Sequence, residues 1–313
     1  MRRTVPPLEA IRQADEKQKA IDARNALLPP GAPREPSVPR LQMRTLKKHF
    51  SKLSQFWIHA GRLSHVPKAE NPFRGWEYQG VRRKLKKRGP WSDADLNALL
   101  ASQWFDEDRV GSDHWWVTVI GMWSGLRVEE IARLRPAEDI REIAGVMAFV
   151  IQEHPAPEPW SPKTESGERT VPIHSALLEL GIMDFVDRRR REGASRLFPS
   201  YRITPSSDKL SARFVSDFSR HKNSIGIGPK TTFHSWRHNV ATILRNKAVS
   251  EARESWIDAV LGHAGGEDDE GKPVRQSVGV TVYLDAVWMQ NLKATVEAIR
   301  YPDEVDFSRL RRP

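Results

Sequence analysis

The chain has 313 residues, with 50 Lys and Arg against 40 Asp and Glu, a formal net charge of +10, and 39% hydrophobic residues. That length allows one large domain and a smaller one, and the positive balance favours a polyanionic partner, nucleic acid being the commonest. The absence of cysteine excludes disulfides, thiolate zinc sites and a cysteine nucleophile. No segment has the apolar core of a signal peptide or approaches the ~18 apolar residues of a membrane span, so a soluble, cytoplasmic, nucleoid-associated protein is expected.

Residues 1–40 are polar and proline-rich, with Pro6, Pro7, Pro29, Pro30, Pro33, Pro36 and Pro39, and read as a tail or linker holding one short helix over 8–26. From 41, Leu46, Phe50, Leu53 and Trp57 recur at helical spacing among lysines. One or two helices here are too few for an independent core. Six of the eight residues 81–88 are basic: Arg82, Arg83, Lys84, Lys86, Lys87 and Arg88. Such a run is either a solvated segment or a linker that follows a DNA backbone.

A second unit begins near Pro90. Ser92 and Asp95 have capping-box spacing ahead of Leu96, Leu99 and Leu100. The run HWWVTVIGMWS at 114–124 predicts a core helix, and Val128, Ile131 and Leu134 predict another over 126–135. Residues 140–152, rich in Ile, Val and Phe and broken by Gly145, read as strands. RTVPI, after a turn at 165–167, reads as a third, making a small antiparallel sheet. Helices follow around Phe214, over 234–247, around Val260 and over 286–299. RRRR at 188–191 reads as a solvated helix face or a DNA contact. The fold class is mainly α with a small antiparallel sheet. The expected division is 1–40 tail, 41–89 partial helical region with basic linker, and 90–313 main domain.

Two phosphate-handling candidates lie close together. Gly266 to Lys272 fits G-x-x-x-x-G-K, but Pro273 follows where a hydroxyl residue should ligate magnesium, and the four intervening residues are acidic. This is a surface insertion rather than a nucleotide loop. HSWRH at 234–238 places His234 and Arg237 three apart, a donor and a guanidinium fork suited to phosphate. His234 and His238 are four apart, but no Glu follows His234 as a metalloprotease site requires, so no metal is expected.

Four segments taken together, SGLRVEEIARL at 124–134, KTESGERTVPI at 163–173, HSWRH, and LGH at 261–263 followed by Tyr283, resemble the tyrosine recombinases, the phage-integrase family. That family carries these motifs in this order, and the resemblance spans roughly residues 90–300. It implies a DNA breaking-and-rejoining catalytic domain, preceded here by a short helical stretch similar to part of the family's core-binding domain. It also implies that Arg127 and Arg237 clamp the scissile phosphate, that His234 and His263 add hydrogen bonds, and that Lys163 protonates the departing 5′-oxygen. Glu130 supports the arginines, and Tyr283 attacks phosphorus to form a 3′-phosphotyrosyl bond. The partners implied are double-stranded DNA, other protomers on paired sites and DNA-bending accessory proteins, with no membrane and no cofactor.

The chemistry is coherent in physical terms. Two guanidiniums stabilise the charge gained by a five-coordinate phosphorus. A tyrosine with pKa near 10 needs cationic help, and a 5′-alkoxide needs an acid. Two features depart from the family pattern. His263 and Tyr283 are 20 residues apart, about twice the usual gap, and the helical region before the linker is about half the usual length. They keep one alternative open, a degenerate integrase that binds DNA without cutting; a type IB topoisomerase-like enzyme, with the same cleavage but relaxation instead of exchange, is a second.

Overall fold

The computed structural model describes residues 7–29, 31–41, 43–67, 70–76, 89–162, 167–204, 207–246, 250–263, 286–310 and 313. It divides into two compact units, Met1–Leu85 and Lys86–Pro313. Among the described residues no helix is long and apolar enough to cross a membrane.

The first unit contains α1 (Pro7–Ala26) and α2 (Met43–Arg62). The proline-rich stretch after α1, which composition marks as tail, runs back along the helix. Its residues supply what prolines lack, a polar grip. Glu35 accepts from Arg24 Nε at 2.9 Å and exchanges hydrogen bonds with Asn25, while the Val38 N–H donates to Gln18 at 2.8 Å. On α2, Phe50 and Trp57 meet Phe73 edge-on with centroids 5.9 and 6.0 Å apart.

The second unit holds α3 (Asp93–Leu100), α4 (Asp113–Ser124), α5 (Val128–Arg133), β1 (Ile140–Ile143), β2 (Val146–Ile151), β3 (Arg169–Pro172), α6 (Ser175–Glu179), α7 (Ile182–Arg191), α8 (Ala212–Ser224), α9 (Ser235–Arg245), α10 (Glu254–Leu261) and α11 (Ala286–Glu297). Ser92 caps α3, its hydroxyl accepting from the Asp95 N–H at 3.1 Å, as the spacing predicts. The three strands form an antiparallel sheet in the order β1-β2-β3, with Ile140 opposite Phe149 and Ile151 opposite Arg169.

Helix α4 is the spine, buried from Trp115 to Ser124. It crosses α9 so closely that a Cβ on Gly121 would lie 2.6 Å from Phe233 and 3.2 Å from Trp236. Helix α11 buries Met289, Leu292 and Val296 within its own unit. Its Lys293 donates to the Ile173 carbonyl at 2.7 Å, and Glu297 accepts from the Ser175 N–H at 2.9 Å. Beyond it, the Tyr301 hydroxyl donates to the Met122 carbonyl and Asn97 holds the backbone of Glu304 and Asp306, all at 2.8 Å.

In the arginine run on α7, Arg188, Arg190 and Arg191 are exposed, as a solvated face requires, but Arg189 and Arg190 also bind their own domain. Arg189 donates to the Leu197 carbonyl and pairs with Asp113, and Arg190 donates to the carbonyls of Pro136 and Ile140.

Candidate active site

Gly125 ends α4 at φ +62°, a left-handed conformation, and a Cβ there would press on Val240 at 3.1 Å and Leu261 at 3.2 Å. The chain then turns, and Arg127 becomes the N-cap of α5 with extended backbone (φ −72°, ψ 144°). The predicted helix 126–135 is therefore shorter, 128–133. Glu130 in its first turn reaches back, one carboxylate oxygen accepting from the Arg127 N–H at 2.8 Å and the other from its guanidinium at 2.7 Å.

Glu130 is 3% exposed, and a second arginine faces it. Arg169, at the start of β3, donates to both carboxylate oxygens at 3.1 and 2.8 Å. Its other donors take the carbonyls of Val260 and Gly167, both at 2.8 Å. Burial pulls the Glu130 carboxyl upward, but Arg169 and then Arg127 outweigh it and hold the group at about 2. The carboxylate stays ionised and fixes both guanidiniums.

His234 is the N-cap of α9 rather than a residue of its first turn, and Arg237 lies inside the helix. At the helix entry the Ser235 hydroxyl accepts from the Thr232 N–H at 3.1 Å. The rings of His234 and His238 meet edge to face at 5.0 Å. Arg237 is 4% exposed, and its guanidinium donates to the carbonyls of Gly125 and Leu261, at the C-terminal ends of α4 and α10. Burial, then the positive charge of Arg127 and Arg169, brings it down to about 9, still protonated at neutral pH.

His263 follows Gly262, the left-handed C-cap of α10 at φ +60°. Its Nδ1 lies 3.4 Å from Asp258, which also binds Arg245 at 2.8 Å. Burial, then the charge of Arg237, lowers the His263 pKa against the upward pull of Asp258. The ring is therefore neutral near pH 7 and can donate or accept.

Arg127, Glu130 and Arg169 are thus bonded in one network, Arg237 feels the charge of all three and His263 that of Arg237, with His234 at the head of α9. Arg169 and Asp258 are functional candidates that the sequence reading passed over. The only trace of Arg169 is a charge at the start of an otherwise apolar strand, and Asp258 reads as an ordinary helix carboxylate. Lys163, Tyr283, the Gly266–Lys272 segment and the basic residues Arg82, Arg83, Lys84, Lys86, Lys87 and Arg88 lie outside the described residues. Among the described residues no group of three His, Asp or Glu side chains converges to hold a metal.

Comparison with curated proteins finds no match. A solved structure, the integrase from mycobacterium phage Brujita, is similar at 17% identity and a TM-score of 0.41, over 86% of this chain and 79% of that one. The profile of the phage integrase family matches residues 116–267, a span that contains every described member of the network. Residues 116–267, just under half of the chain, are thus similar to the phage integrase family.

Proposed function

We propose that the protein is a site-specific DNA recombinase that cuts and rejoins strands through a 3′-phosphotyrosyl intermediate. The observation that supports this most is the surplus of positive charge around Glu130. Arg127 and Arg169 share a single carboxylate, and the nearby Arg237 is brought down to about 9 by burial and by those two guanidiniums. A phosphodiester placed against Arg127 and Arg237 relieves that repulsion, and the charge gained in the transition state relieves it further. The side chain of Arg127 is one-third exposed, so it can reach an incoming anion while Glu130 holds its base.

In this reading Arg127 and Arg237 clamp the non-bridging oxygens, and His263 and His234 hydrogen-bond them. Tyr283 attacks phosphorus as its phenol passes a proton to His234, and Lys163 gives a proton to the departing 5′-oxygen. The phosphotyrosyl bond conserves the phosphodiester's energy, and a 5′-hydroxyl from a second strand reverses the step. The substrate is double-stranded DNA, contacted in part by the basic run 82–88, with further protomers on paired sites and DNA-bending accessory proteins completing the assembly.

Covalent trapping on labelled, nicked duplexes drawn from the flanks of the gene tests this, with Tyr283→Phe and Tyr301→Phe alongside. The expected result is an adduct on a denaturing gel that Tyr283→Phe lacks. Tyr301→Phe retains it, because that hydroxyl is committed to the Met122 carbonyl. DNA binding without an adduct would replace the proposal with a non-cutting binding module. An adduct accompanied by relaxation of supercoiled DNA lacking paired sites would replace it with a topoisomerase.

A further inference from the structure

Arg245 is the last residue of α9, the helix that His234 caps and that carries Arg237. It lies in neither HSWRH nor LGH. Its guanidinium bridges to α10, where Nε donates to Glu254 at 2.6 Å and Nη2 donates to Asp258 Oδ1 at 2.8 Å. Glu254 and Asp258 stand four apart, on one face of α10, so a planar fork can engage both. Arg245 is 37% exposed and Glu254 57% exposed. An ion pair in that setting adds little to stability. Its consequence lies in which oxygen it takes.

Asp258 Oδ1 is also the atom that faces His263. Its distance to His263 Nδ1 is 3.4 Å, past the roughly 2.7–3.2 Å of a well-formed N–H···O bond. The guanidinium thus holds the near position on this oxygen and the imidazole the far one. The backbone of His263 is held separately. Its N–H donates to the Asp258 carbonyl at 3.1 Å, closing the turn that Gly262 makes at φ +60°. The ring is therefore fixed at its root and only loosely held at Nδ1.

The partner of one ring nitrogen sets the tautomer, basicity and orientation of a histidine. A carboxylate given wholly to Nδ1 would turn the ring toward α10 and favour its protonated form. Among the described residues, the charged side chains that act on His263 are Asp258 on α10 and Arg237 and Arg245 on α9. Burial and Arg237 lower its pKa, Asp258 raises it, and Arg245 lowers it further.

We propose that Arg245 is a positioning residue for His263: by occupying Asp258 Oδ1 it keeps the imidazole from being captured by that carboxylate and leaves the ring free to turn to the scissile phosphate. The phosphate rests on the strand-cleavage reading above. The competition for Asp258 does not, and it can be measured on protein without DNA.

NMR titration of the full chain follows the His263 ring, assigned by comparison with His263→Gln, in wild-type, Arg245→Gln and Arg245→Lys proteins. Arg245→Gln is expected to move the midpoint to higher pH by roughly 0.2–0.7 unit, the range that couplings between partly exposed charges produce. Arg245→Lys is expected to return it part of the way, since an ammonium restores the charge without the fork. In an Asp258→Asn background the Arg245→Gln shift is expected to shrink, because the contested carboxylate is gone. The acid limb of the cleavage profile is expected to follow the midpoint. A midpoint that stays fixed while the Tm falls would make Arg245 a surface brace and overturn the proposal. So would a shift of equal size with and without Asp258. A shifted midpoint in a protein that forms no DNA adduct would uphold the contest for Asp258 and sink the recombinase reading instead.

Discussion

Replacing Arg169 by Gln tests whether the site is held from behind. The side chain is 5% exposed and grips a carboxylate that is 3% exposed, while two more of its contacts go to the carbonyls of Val260 and Gly167. Removing one partner of a buried pair costs roughly 3–5 kcal/mol, because the other charge remains buried. The Glu130 carboxyl gives an independent scale. Its descent from the ordinary 4.5 to about 2 is equivalent to about 3 kcal/mol, held jointly by Arg169 and Arg127. A depressed carboxyl stabilises the fold above pH 4.5 and loses that contribution as pH falls toward 2. In the variant Glu130 keeps Arg127 alone, its pKa rises, and it takes up a proton sooner. The deficit is therefore largest at pH 7 and shrinks toward pH 4. Urea unfolding followed by circular dichroism at both values reads it, with Arg169→Lys restoring charge but not the fork. A deficit under about 1 kcal/mol at pH 7, or one of equal size at both pH values, would refute a carboxylate-centred brace.

Gly121→Ala puts a methyl 2.6 Å from Phe233, so overpacking is expected to cost about 1–3 kcal/mol in thermal unfolding and to lower the trapping yield, because α9 carries His234 and Arg237. Asp258→Asn removes a charge that raises the His263 pKa. Its NMR titration midpoint is expected to move to lower pH, with the acid limb of the cleavage profile moving the same way. A midpoint that stays fixed would detach Asp258 from the site.

Much of the fold is legible in the sequence because its elements are driven by burial. The apolar run of α4, the branched residues around Gly145 and the 3–4 spacing on α11 each specify their own period. The network around Glu130 is legible only in part. Arg127 and Glu130 sit three apart, so local spacing brings them together. Arg169 meets Glu130 from 39 residues away and Val260 from 91, and nothing in RTVPI marks a residue whose partners arrive through tertiary packing. The same distance effect hides the roles of Arg189 and Arg190. In sequence they form a charge run, but the fold brings backbone carbonyls within their reach. His234 differs for a local reason. Helix periodicity over 234–247 does not say where the first turn begins, and the Ser235 hydroxyl decides it.

The fastened C-terminus changes what the long His263–Tyr283 spacing means. His263 follows α10 directly, α11 begins at Ala286, and both helices are packed in the same unit, so residues 264–285 join two fixed ends. For a chain closed in this way, doubling its length costs only about 0.6 kcal/mol of closure entropy. This junction therefore tolerates insertion, and the acidic GEDDE stretch can be carried at little thermodynamic expense.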